Sequence, residues 1–202
     1  MLRVPGTKEI TVNCTRCSNV DNESIEDVSE ALIKIRNQIK DIVPFIQEHV
    51  NGCQNAYLSS IASSLGVRDR RRIKGMNEIH YDDIIQCTRY PDSVAIGVYP
   101  IDIHHNKGVK SVEFKKIEGS GIYKIPYSSL LPEHLDFIIA NGKCISADDI
   151  AFGALRAMGP VMNIAVAAGT AAAMAAKDNS SAKKVDIMKL QGILRTCGIK
   201  DI

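Results

Sequence analysis

The 202-residue chain has no tryptophan, and its aromatic residues are limited to four phenylalanines and six tyrosines. That scarcity argues against a surface that stacks successive bases of a single strand. An excess of one charge is also missing. Lys and Arg number 25 and Asp and Glu 23, for a net charge of +2, so the chain as a whole has no pull toward polyanions. The opening residues MLRVPGTKEITV lack the basic start and apolar stretch of a secretory signal. The six cysteines are dispersed through a chain too large to need disulfide staples. They are expected to be reduced thiols, which places the protein in the cytoplasm. Cys14 and Cys17 form one C-x-x-C with no second pair and no histidines at zinc-ligand spacing. The stretch reads as strand rather than helix start, which favours an incidental pair over redox or metal use. No metal site is expected.

What is present is an ordinary globular mixture, 45% apolar and 24% charged. Residues 10–17 alternate like a strand. Ser24, with Asp27 three residues on, caps a helix over 25–42 whose stripe is Ile25, Val28, Leu32, Ile35, Ile39 and Ile42. Pro44 either ends it or starts a short second helix. Residues 55–76 read as strands joined near Gly66, HYDDIIQC as a short helix, and SVAIGVYP as a buried strand. SVEFKKIEGSGIYKIPY reads as two strands around a Gly119–Gly121 turn. DFIIA (136–140) reads as a further buried strand. A solvated linker, AKDNSSAKK, precedes a last helix capped by Asp186 and stopped by Gly198. The fold class expected is α+β.

Arg156–Lys177 holds nine alanines, and only its two end residues are charged. Alanine is too weakly apolar, and Asn163, Gly169 and Thr170 dilute the run too far, for a membrane span to be the better reading. As a helix of a soluble fold it is well made. Alanine has the best helix propensity, Pro160 suits the first turn, and small side chains let a backbone or a flat ligand come close. The amides at about Val161 to Asn163 are expected to lack intrahelical partners and to stabilise a nearby anion by roughly 0.3–1 kcal/mol. A plain packing helix with solvated ends is the other reading.

The segment YKIPYSSLLPEHLDFIIANGKCISADDIAFGALRAMGPVMNIAVAAGTAAAMAAK resembles the C-terminal region of a family of FAD-dependent oxidoreductases built on the glutathione-reductase type of FAD domain. The resemblance continues through PDSVAIGVYPIDIHH, LGVRDRRRIKG and VNCTRC, over about residues 10–200. It implies that DFIIANGK returns to the FAD domain and that the turn Asn141, Gly142, Lys143, Cys144, Ile145 and Ser146 reaches the ribityl and pyrophosphate part of FAD. Gly142 lets backbone approach phosphate, and Lys143 supplies a cation where the family usually has the forked donors of Arg. The resemblance also puts Arg156, Met158 and the amides near Val161 and Met162 against the flavin pyrimidine ring, where a positive field favours negative charge. Flavoproteins of this class hold the ADP pyrophosphate with a strand, G-x-G-x-x-G and a helix, and this chain has no such element. The expectation is therefore a piece of a longer protein: 1–130 part of a substrate-side domain, 131–178 the C-terminal part of the FAD domain, and 179–202 linker and last helix. Alone, such a piece should bind FAD weakly or not at all. One C-x-x-C cannot supply the four ligands of an iron–sulfur cluster.

Two further stretches carry chemistry. RDRRR at 68–72 reads as a solvated basic strand, as a clamp in which Arg68 or Arg71 holds an anionic substrate, or as a nucleic-acid patch. The resemblance puts it on the substrate side. In YPIDIHH, Asp102 and His104 fall on one face if extended, and a carboxylate beside an imidazole suits general acid–base work. Surface polarity is the plainer reading, and the resemblance sets this loop near the flavin. His105 is expected to point away. The function expected is hydride or electron transfer between a small organic substrate and FAD, with no nucleic-acid or membrane partner. The rival is a non-catalytic module that uses the 68–72 strand to bind an acidic partner or nucleic acid.

Overall fold

A computed structural model describes residues 1–68, 71–104 and 112–202, with only the backbone described for 103–104 and 112–114. It is an α+β protein that divides into two compact units, Met1–Val67 and Arg68–Ile202. Of the pieces expected from sequence, 131–178 and 179–202 both fall in the second unit, and 1–130 is shared between the two.

In the first unit, β1 (Leu2–Arg3) pairs antiparallel with β2 (Ile10–Thr11). The strand expected over 10–17 stops at Thr11, because a strand lasts only as far as its hydrogen-bonding partner and β1 is two residues long. Helix α1 (Ile25–His49) begins as predicted, with the Ser24 side chain accepting from the Asp27 amide at 3.1 Å. It runs straight through Pro44 rather than ending there. Proline removes one amide donor, and the helix absorbs that single loss near its end. Gln38 grips both backbone groups of Arg16, accepting from its N–H at 2.9 Å and donating to its carbonyl at 2.7 Å, which lays the C-x-x-C stretch along α1. No strand forms over 55–67. The chain there turns at Asn55 and bends at Ser63–Ser64, and among the described residues its backbone joins no ladder.

The second unit holds the core. Strand β3 (Ser93–Gly97) pairs antiparallel with β6 (Tyr123–Pro126), and β4 (Ile101–His104) with β5 (Val112–Lys115). The Gly119–Gly121 turn is present, with both glycines at positive φ, but β5 and β6 are not partners. The connector between them is pinned elsewhere: Ile117 is buried, and the Glu118 amide donates to Ile85 at the end of α2 (Tyr81–Gln86). Helices α4 (Met158–Lys177) and α5 (Ile187–Thr196) pack on each other and on β3. Ile164, Ala167, Ala171, Leu190 and Leu194 are fully covered. Asn163 fixes α4 to β3 by donating its side-chain amide to the Ile96 carbonyl at 3.0 Å.

Two expectations fail here. Residues 71–74 form no strand, and Asp69 and Arg70 lie outside the described residues. DFIIA is not a buried strand. Phe137 is 82% and Ile138 49% exposed, and only the Ala140 amide is tied down, to Leu130 at 2.7 Å. The run is apolar enough for a sheet interior, but among the described residues no strand lies beside it.

Candidate flavin-facing site

The turn expected to meet the cofactor lies against the start of the helix expected to face it. Gly142–Cys144 forms a single 3-10 turn packed on α4. Gly142 sits at φ 69°, a conformation costly for any residue with a Cβ. A methyl placed on it would lie 3.9 Å from Val161 Cγ1. Asn141, Lys143 and Cys144 are exposed. Ser146 is buried instead. Its N–H donates to Ser129 and its carbonyl accepts from Ile79, so it anchors the turn from inside. Ile145 is buried beside it, and the Cys144 carbonyl accepts from Ile73.

The helix opens three residues earlier than the donor cluster expected from sequence. Val161 already donates to Ala157 at 3.1 Å, so the amides of Val161 to Asn163 are spent inside the helix. The unpartnered amides among the described residues are those of Met158 and Gly159, and Pro160 has none. Among the described residues no side chain plugs that end: a Cβ on Gly159 would meet nothing within 4 Å, and Met158 and Met162 are 84% and 69% exposed.

Arg156 is engaged with β4. Its guanidinium donates to the Asp102 carbonyl at 3.0 Å and lies 3.6 Å from the Asp102 carboxylate. Arg68 approaches the same carboxylate oxygen at 3.4 Å. Asp102, with its side chain 10% exposed, is thus held between two arginines. It ties β4 to the short helix α3 (Phe152–Leu155), which leads into α4. Gly153 makes the approach possible, since a Cβ there would lie 2.8 Å from the Asp102 carbonyl oxygen. His104 ends β4 opposite Val112; its side chain, and all of His105, lie outside what is described.

Arg71 lines an open cavity of about 660 Å3 with Arg72, Lys74, Glu78, Ser146 and Asp148. Arg72 ion-pairs with Asp149, donates to the Ala147 carbonyl at 2.8 Å, and lies 4.9 Å from the Phe152 ring centre. Sequence reasoning missed Asp148, which organises this region. One carboxylate oxygen accepts from the Ile150 and Ala151 amides at 2.9 and 2.7 Å, and the other accepts from Tyr81 at 2.8 Å. The signal was available, because an Asp just before a helical run is a capping residue. Burial raises the phenols of Tyr123 and Tyr127, the latter to about 12. Both hydroxyls donate to buried carbonyls, Tyr123 to Ala154 and Tyr127 to Ala182. All six cysteines are unpaired, and among the described residues no three His, Cys, Asp or Glu side chains are grouped to hold a metal. By length and composition α4 is apolar enough to cross a membrane, and here it packs on β3 and α5.

The α+β core thus presents a glycine turn and an open helix start side by side. A family model described as FAD dependent oxidoreductase matches residues 2–194, and the chain belongs to that family. No curated protein and no solved structure matches it.

Proposed function

We propose that this chain supplies one side of the FAD site of an oxidoreductase acting on a small organic substrate, and that the ADP half of the cofactor is held by sequence outside these residues. The observation that carries the reading is the meeting of the Gly142–Cys144 turn with the uncovered first turn of α4. The residues fit the cofactor. Gly142 at positive φ leaves a backbone surface without a side chain, Lys143 brings a cation to it, and the Met158 and Gly159 amides point a positive helix end outward. Met158 and Met162 offer polarizable apolar contact for a flat ring. When bound, FAD supplies hydride and electron acceptance.

The chain's own residues then do four things. The α4 amides favour negative charge at the helix start. Asp102, clamped by Arg68 and Arg156, fixes the distance between β4 and the entry to α4. His104, on β4, is the residue we assign to proton handling, and Asp102 is committed to the two arginines. Arg71, which lines the open cavity, is the residue we assign to substrate binding. The glutathione-reductase type of FAD domain, a substrate-side role for the preceding residues and a cytoplasmic setting belong to the same reading. The exposed Phe137 and Ile138 support it, as apolar side chains suited to an adjoining sheet. Arg68 and Arg72 each lie on a carboxylate, which favours a small-molecule role for this stretch over a nucleic-acid patch.

The test is FAD binding by this chain and by the chain extended with its upstream reading frame. The extended protein should purify yellow, release FAD on denaturation, and lose affinity at least about tenfold on Lys143→Glu, which sets a negative charge beside the phosphates. The 202-residue chain should show little or no thermal shift with FAD. A colourless extended protein that ignores added FAD refutes the proposal.

A further inference from the structure

Residues Tyr57–Leu65, YLSSIASSL, have the character of a strand but no sheet. No Asp, Glu, Lys or Arg lies between Glu48 and Arg68, and the nine residues contain neither proline nor glycine. Those are the devices by which proteins blunt an exposed strand edge. Tyr57 to Ser64 are all exposed, including Tyr57 at 85%, Leu58 at 49% and Ile61 at 44%. Among the described residues, no backbone amide from Tyr57 to Leu65 donates to any acceptor, and the one carbonyl engaged is that of Leu65, which accepts from Val67. The only side-chain tie in the run is the Ser59 hydroxyl, which donates to Glu9 at 2.8 Å. Backbone groups left in this state are competent to pair with another strand.

The order of side chains says which strand. Alternate residues from Tyr57 read Tyr57, Ser59, Ile61, Ser63, Leu65, a polarity pattern symmetric about Ile61. Two identical strands pair antiparallel about an axis perpendicular to their sheet, so some residue must lie opposite itself. Centred on Ile61, the pairing puts Ile61 against Ile61, Ser59 against Ser63 and Tyr57 against Leu65. Every pair on that face then matches, apolar with apolar and hydroxyl with hydroxyl. Moving the centre to Ala62 sets Ile61 against Ser63 and Leu65 against Ser59, which mismatches both. A lipid surface or a polyanion would ask for basic residues that the stretch does not contain. An unrelated strand would not require the symmetry.

We propose that this segment is a self-association edge, through which two copies of the chain pair antiparallel over 57–65 with Ile61 on the two-fold axis. The proposal does not depend on flavin binding. A two-stranded pair contributes little stability by itself, so the dimer is weak and concentration-dependent.

Sedimentation equilibrium of the full chain, with thiols kept reduced, tests it over about 5 to 500 µM. A monomer–dimer equilibrium is expected. Ser59→Lys with Ser63→Lys sets like charges opposite each other at two symmetric places and should raise the dimer dissociation constant at least about tenfold. Ser59→Lys with Ser63→Glu should keep it within about threefold of the parent, and Ile61→Pro should abolish the dimer. These positions are exposed, so circular dichroism of each monomer should match the parent. The proposal is overturned by a chain that stays monomeric throughout, by a dimer that both charge variants form equally well, or by open-ended assembly beyond the dimer.

Discussion

Residues 1–67 contain a 25-residue helix with a good cap and a regular apolar stripe, and among their described residues Ala31 is the one buried hydrophobic. Residues 68–202 have shorter helices, among the described residues no sheet beyond two strands, and a continuous core around Tyr123, Phe152, Leu155 and Ile164. The difference separates two things that an amphipathic pattern is often asked to do at once. A stripe and a cap are enough to set a helix. Burial needs several elements to converge, and only the second unit has them: two strand pairs, α4 laid on β3, and α5 laid on both. The surface left uncovered differs in kind as well. In the first unit it is a polar–apolar segment outside any ladder, and in the second it is the first turn of α4 beside the Gly142–Cys144 turn.

The largest effect that would sharpen this contrast comes from core truncation. Phe152 is 1% exposed, and Phe152→Ala should cost about 3–5 kcal/mol, whereas Leu32→Ala on the half-buried stripe of α1 should cost about 1 kcal/mol or less. Urea unfolding followed by tyrosine absorbance and by far-UV circular dichroism checks both. Equal costs would erase the distinction between the units.

The next effect is alkaline. Burial raises the Tyr127 phenol to about 12 and raises that of Tyr123 as well, against an unfolded value near 10. The stabilisation is full below pH about 10 and is lost as pH rises through the folded value, because the unfolded chain releases its protons first. Tyr127→Phe should flatten that slope. It should also cost about 1–2 kcal/mol at neutral pH, by leaving the Ala182 carbonyl without the phenol donor. Stability measured against pH from 7 to 11 decides it; an unchanged slope counts against burial as the cause.

The smallest effect belongs to the first unit. Ser24→Ala removes the acceptor of the Asp27 amide and should cost α1 about 1 kcal/mol, seen as frayed helicity with the core of the second unit untouched. Simultaneous loss of the Phe152-centred core would mean that the two units do not melt separately.

Much of the fold was legible because some signals are local. The Ser24 and Asp186 caps, α2 in HYDDIIQC, β3 in SVAIGVYP and the alanine helix each depend on residues within a turn or two of one another. The errors share a cause. β2, the 55–76 stretch, the β5–β6 pairing and DFIIA were all judged by side-chain pattern, and a strand exists only beside another strand. The candidate site obeys the same limit. Only the fold shows Gly142 beside the start of α4, and only the fold shows Arg156 held by Asp102. No spacing rule in the sequence connects residues 54 positions apart.

By itself, the order of residues determined the Ser24 and Asp186 caps, the stop of the last helix at Gly198, and the helical character of the alanine run. Those outcomes follow from backbone sterics and from amides that must find acceptors within a few residues. The tertiary structure alone decided which strands meet, that Asp102 is shared by two arginines, that the helix opens at Met158, and that Ser146 faces inward. Each of these depends on distant parts of the chain arriving at the same place, where excluded volume and the pairing of buried polar groups select one arrangement among many that the pattern allows.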